Sequence, residues 1–106
     1  MNPNREKRMN EAVREAAAEF LAREANRQSL ITVTNAVVSS DGHLATIYLT
    51  IFPESAELRA LSFARRHGGE LAEFFKKRVR GMRIPHIEFA LDKGEKNRQR
   101  LDELGE

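Results

Sequence analysis

A run of cations holds most of the chemical potential of this sequence. Lys76, Lys77, Arg78, Arg80 and Arg83 fall within eight residues, and Arg65 and Arg66 stand upstream, just before a Gly68-Gly69 pair. Such a run suits phosphate, because each phosphate neutralised by Lys or Arg releases condensed counterions, and that release drives binding. On a helix, Lys76, Arg80 and Arg83 would follow at i, i+4 and i+7 as one ridge. That ridge would lie about 100° around from an apolar stripe of Leu71, Phe75, Val79 and Met82. The plain alternative is a solvated helix face, and the cations alone do not separate the two.

No catalytic constellation competes with this lead. His43, His67 and His86 show no metal-ligand spacing and read as surface or turn residues. There is no Walker-type phosphate loop and no serine in a nucleophile elbow. Glu103 and Glu106 sit in a polar stretch where nothing would desolvate them and shift their pKa. The absence of cysteine removes disulfides and thiolate metal sites. The expectation is a non-enzymatic protein without metal or cofactor.

The 106 residues suffice for one domain, and 41% hydrophobic residues suffice for one modest core. The net charge of +2 is unevenly spread. Residues 1–27 hold six basic and five acidic groups, and residues 28–53 hold only Asp41. Residues 54–83 hold eight basic against four acidic groups, and residues 84–106 hold four against six. The positive excess therefore lies in the third segment and points to a localised anionic partner. No stretch approaches the roughly 20 apolar residues of a membrane span. The first residues lack the apolar region of a signal peptide, so a cytoplasmic location is expected.

The elements that must position these groups follow from periodicity. Met9, Val13, Ala16 and Phe20 recur on one helical face between residue 4 and about residue 25, widened by Ala12, Ala17 and Leu21. Residues 30–39 are rich in β-branched side chains and predict a strand. Ser40-Asp41-Gly42 is turn chemistry, with Asp-Gly supplying the φ > 0 positions of a tight hairpin. Residues 44–52 then alternate, Ala45, Ile47, Leu49 and Ile51 against Thr46, Tyr48, Thr50 and Phe52. A second helix is predicted from about residue 54, with Leu58, Leu61 and Ala64 as its buried stripe. Gly68-Gly69 interrupts that helix or kinks it. Ile87, Phe89 and Leu91 predict a third strand over residues 84–91. The order α-β-β-α-kink-α-β gives an α+β domain with a three-stranded mixed sheet and helices on one face, since a helical crossover makes the last two strands parallel. Which strand is central is left open. Residues 1–92 form the domain, and residues 93–106 form a charged tail.

A helix, a Gly-rich turn and a second helix beside a three-stranded sheet is the arrangement by which KH domains bring backbone N–H groups to phosphates. The Gly-x-x-Gly spacing of a true KH loop is absent. Gly68-Gly69 can also be read as a helix break needed only for packing. Four stretches together resemble the ribosome-binding factor A family. They are Arg5-x-x-Arg8 followed by Val13, and the hairpin Thr32-Val33-Thr34, Val38-Ser39-Ser40-Asp41 and Ala45-Thr46-Ile47-Tyr48. The other two are Pro85-His86-Ile87-Glu88-Phe89 with Asp92 behind it, and Arg100-Leu101-x-x-Leu104. The resemblance implies a type-II KH-like domain in which an alanine-x-glycine kink replaces the KH loop. His67 stands here where the family has the alanine, and Met82 stands three residues before Pro85, where an arginine is usual.

The resemblance further implies a factor that binds the immature small ribosomal subunit and aids late maturation of its RNA, notably in the cold. The candidate RNA-binding residues are Arg5, Arg8, Arg65, Arg66, Gly68, Gly69, Lys76, Lys77, Arg80 and Arg83. The expected partner is the small (30S) subunit and its RNA, with a GTPase as a possible trigger of release, and the expected state is a monomer. The competing reading is a protein-interaction or dimerisation module using Tyr48 and Phe52 on the far face of the sheet. Leu101 and Leu104 are the only apolar side chains beyond Gly94, so the tail should add little to folding. Deleting residues 95–106 is expected to lower the thermal midpoint by no more than about 2–3 °C in a calorimetric or circular-dichroism melt.

Overall fold

The computed structural model describes residues 3–24, 30–79, 84 and 86–94. The elements are α1 (Pro3–Glu24), β1 (Leu30–Val38), β2 (Leu44–Phe52), a 3₁₀ turn (Glu54–Ala56), α2 (Glu57–Arg66), α3 (Gly68–Arg78) and β3 (His86–Leu91). Leu101, Leu104 and the rest of the tail lie outside the described residues, as do Arg80, Met82 and Arg83.

The alternation in residues 44–52 is realised in full. Ala45, Ile47, Leu49 and Ile51 are buried, whereas Thr46, Tyr48 and Thr50 are half-buried and Phe52 is exposed. A strand buried so completely on one face belongs in the middle of the sheet, and β2 is the central strand of the order β1-β2-β3. It pairs antiparallel with β1, from Leu30↔Phe52 to Val38↔Ala45. It pairs parallel with β3, from Leu44↔His86 to Leu49↔Leu91. The sheet is therefore mixed, as the helical crossover requires.

β1 carries a bulge that its sequence does not announce. The register shifts between Val33 and Asn35, so Val33 faces the core before the shift while Ala36 and Val38 do so after it. The extra residue, Thr34, donates its hydroxyl proton to Asp92 Oδ2 at 2.6 Å. The Asp92 amide donates to the Leu49 carbonyl at 2.7 Å. One side chain thus reaches across the central strand and fastens the edge strand to the end of β3.

The hairpin turn differs from the expected one. Only Gly42 takes a positive φ, at 77°, while Asp41 stays in the ordinary region. The Gly42 amide donates to the Ser39 carbonyl at 2.9 Å and the Ser39 amide to the Leu44 carbonyl at 2.8 Å, which closes a longer loop than a two-residue turn. The Asp41 side chain acts as an acceptor within that loop, for the Ser39 hydroxyl at 2.6 Å and the His43 amide at 3.0 Å. Those two bonds hold the Asp41 carboxyl below the usual carboxylate range. The help it gives the turn is therefore complete above that range and is lost as pH falls through its lowered value.

The three helices α1, α2 and α3 cover the same face of the sheet. Val13, Ala16, Ala17, Phe20 and Leu21 of α1 are buried, as their spacing predicts. Asn10 Oδ1 accepts from the Val38 amide at 2.9 Å, which fixes the N-terminal half of α1 near the hairpin turn. In α2 the expected stripe needs a correction. Ala60, Leu61 and Ala64 are buried, but Leu58 is 82% exposed. Ala56, Ala60 and Ala64 recur every four residues and set the phase, because their small side chains let the helix approach the sheet. Leu58, two residues from Ala60, then points about 160° away. Phe20, Ile47, Leu49, Leu61, Phe75 and Phe89 share one core. Phe75→Ala is expected to cost about 3–5 kcal/mol in denaturant unfolding. Leu58→Ala should stay within about 0.5 kcal/mol, a contrast that the uncorrected stripe would not give.

Candidate nucleic-acid interface

The break between the two crossover helices falls on His67. Its φ of −98° and ψ of 10° leave the helical basin for the bridge region. Its amide still donates to the Ala64 carbonyl at 3.1 Å, closing α2, and its carbonyl accepts from the Leu71 amide at 3.0 Å, opening α3. The imidazole is held on two sides, with Nδ1 3.2 Å from Glu70 Oε2 and the ring centroid 4.5 Å from that of Phe63. Gly68 and Gly69 are the first residues of α3 and have no positive φ. A Cβ built on either one meets nothing within 4 Å. Neither backbone conformation nor crowding within the described protein therefore requires glycine at these positions, which argues against a packing-only role. What the glycines do provide is bare backbone N–H at a helix start.

That bare junction lines an open cleft of about 750 Å³. Arg65, Gly68 and Gly69 form one side, and the turn residues Asp41 and His43 and the start of β3 at His86 form the other. The His86 amide donates to the His43 carbonyl at 3.1 Å, which joins the turn and the start of β3 into that one wall. Asp41, His43 and His86 are exposed cleft residues that the sequence did not mark, because their proximity is a product of the β2–β3 register.

The basic residues divide into two groups. Arg5 and Arg8 are exposed near the start of α1, at the hairpin end of the molecule, and Arg65 and Arg66 are exposed at the end of α2. Lys76 and Lys77 are exposed in the last turn of α3, eight residues beyond Gly68 and so about 12 Å along the helix axis. None of these six takes part in an ion pair among the described residues. Of the expected ridge of Lys76, Arg80 and Arg83, only Lys76 lies within the described residues. α3 ends at Arg78, and Val79 is extended at φ −115° and ψ 108°. Val79 itself is half-buried against the core.

Arg78 is a different case. Glu19 of α1 accepts hydrogen bonds from both Arg78 and Arg23, and both guanidinium groups lie over the Phe74 ring, at 5.7 and 5.8 Å from its centroid. The Phe74 ring is in turn 5.7 Å from Phe20. This clasp between α1 and α3 neutralises one cation of the run and leaves Lys76 and Lys77 outside it. No local pattern marks it, since Glu19 and Arg78 are far apart along the chain.

A three-stranded mixed sheet, helices on one face and a broken crossover opposite the hairpin turn together define a KH-like α+β domain. A family model described as ribosome-binding factor A matches residues 5–105, and the chain belongs to that family. Ribosome-binding factor A of Thermus thermophilus is 39% identical over 77 residues, which are 72% of this chain and 78% of the relative. A crystal structure of ribosome-binding factor A from Thermus thermophilus has a TM-score of 0.75 at 27% identity, covering 83% of this chain and 97% of that one. A homology model of the Thermus thermophilus factor, fitted into a cryo-EM map of its 30S complex, is 31% identical with a TM-score of 0.62. It covers 77% of this chain and 89% of that one.

The open space above the junction has a measurable consequence. Gly68→Ala and Gly69→Ala are each expected to leave the fold intact and to raise stability by about 0.4–1 kcal/mol in a denaturant titration, by narrowing the unfolded ensemble. Destabilisation would restore the packing explanation.

Proposed function

We propose that this chain is a ribosome assembly factor that binds the immature small subunit and assists late maturation of its RNA. The observation that carries this reading is the pairing of unengaged cations with bare backbone on the helical side of the domain. Arg65, Arg66, Lys76 and Lys77 flank α3, and Gly68-Gly69 opens its N-terminus. Phosphates are attracted by the cations and by the N–H groups and positive dipole end of the helix. Arg5 and Arg8 extend this surface at the hairpin end. Recognition would be of RNA shape and backbone, with cleavage left to nucleases. The relative whose 30S complex was imaged supports the choice of partner.

A role that grows in the cold follows from the same physics, because misfolded RNA helices escape more slowly as temperature falls. Within this reading the domain acts as a monomer, and a GTPase acting on the same subunit is a fitting release factor.

Lys76→Glu with Lys77→Glu tests the proposal. Both side chains are exposed, so the variant should keep its circular-dichroism spectrum. Its co-sedimentation with small subunits should weaken, and each lost phosphate contact should flatten the slope of log affinity against log salt by roughly 0.7–0.9. Unchanged affinity in the folded variant would move the RNA surface to Arg5, Arg8 and the first helix.

A further inference from the structure

Two arginines share one carboxylate on the seam between α1 and α3. Arg23 donates to one oxygen of Glu19 at 3.0 Å, and Arg78 donates to the other. Helical spacing prepares both sides of the seam. Glu19 and Arg23 stand at i and i+4 on α1, and Phe74 and Arg78 at i and i+4 on α3. Both guanidinium groups lie over the Phe74 ring, which packs against the core, so cation–π attraction helps to hold them in place. The charge at the seam does not balance. Two guanidinium groups meet one carboxylate, which leaves one positive charge, whereas Arg14 and Glu11 on the same helix pair one to one. The arginine side chains are 63% and 53% exposed, against 31% for Glu19. Each guanidinium has several N–H donors and spends one terminal nitrogen on Glu19, so donors remain for a second anion.

We infer that Arg23 and Arg78 form a phosphate site across this seam, and that Glu19 holds down its strength by competing for the same donors. The site takes one phosphodiester of the small-subunit RNA, and the inference rests on the function proposed above. Lys76 and Lys77 stand in the same last turn of α3 as Arg78, so the seam continues the cationic surface already assigned to phosphates. A planar guanidinium fork matches the oxygens of a phosphate, and two forks over one ring are pre-organised for it. Exposed ion pairs are weak, so Glu19 can yield to an incoming anion. The contest favours RNA once Lys76 and Lys77 hold a neighbouring phosphate, because the next contact is then intramolecular and benefits from a high effective concentration.

The test titrates two probes against salt, protein-free small-subunit RNA and assembled small subunits. Arg23→Gln with Arg78→Gln should weaken binding to both by about tenfold. It should also flatten the slope of log affinity against log salt by roughly 0.7–0.9, the share of one phosphate. Unchanged affinity for either probe overturns the inference, and a loss confined to assembled subunits would assign the seam to a protein instead. Glu19→Gln keeps both guanidinium groups and the Phe74 ring, and it carries the test if the double variant fails to fold. It should strengthen RNA binding by about two- to fivefold. Glu11→Gln removes the same charge from the balanced pair with Arg14 and should leave RNA binding unchanged. No gain from Glu19→Gln makes Glu19 a structural clasp alone, and an equal gain from Glu11→Gln makes net charge sufficient. Either result overturns the inference. If the parent chain binds neither probe, the assembly-factor reading itself fails. That result is distinct from retained binding that is indifferent to Arg23, Arg78 and Glu19.

Discussion

The parallel pairing of β2 with β3 is the constraint on which the rest of the molecule depends. Antiparallel neighbours can be joined by a short turn, but parallel neighbours need a crossover that carries the chain back to the starting end of the sheet. Here the crossover is α2 and α3, which must lie over the sheet and bury Ala60, Leu61, Ala64, Leu71 and Phe75 against Ile47, Leu49 and Phe89. Because β3 starts beside Leu44, next to the hairpin turn, its first residue lines the cleft on which the α2–α3 junction also opens. The pairing thus brings Gly68, Gly69 and Arg65 opposite Asp41, His43 and His86.

The same constraint separates the two surfaces chemically. With α1 packed over β1 on the same side, α1, α2, α3 and nearly every described cation belong to one half of the molecule. The strands hold the apolar and hydroxyl residues and almost no charge. The clasp of Arg78, Arg23, Glu19 and Phe74 fixes α1 to α3 and absorbs one cation into structure. Lys76 and Lys77 remain available in the adjoining turn.

Much of this was legible in the residues themselves, because periodicity records which face is buried. The stripe of α1 and the alternation of β2 gave the element types and most of the core, and His67-Gly68-Gly69 marked the break. Long-range partners leave no such trace. The central position of β2 depends on which strands pair, and the composition of β1 and β3 permits other orders. The bulge at Thr34 comes with a hydrogen bond to Asp92, 58 residues away. Leu58 misled because apolar character was read as burial, whereas three alanines set the phase of α2.

The claim at the centre of this account is that the helical side, from the α2–α3 junction to the end of α3, receives the phosphates of the small subunit. Amide hydrogen exchange of the chain, free and bound to small subunits, tests it most directly. The Gly68, Gly69 and Glu70 amides stand at the start of α3, where intrahelical acceptors are lacking, and should exchange quickly in the free protein. On the subunit the peptide spanning 65–72 should become strongly protected, with the turn at 39–43 protected alongside it. Binding that leaves this peptide exchanging as fast as in the free chain, with protection confined to other elements, would contradict the account.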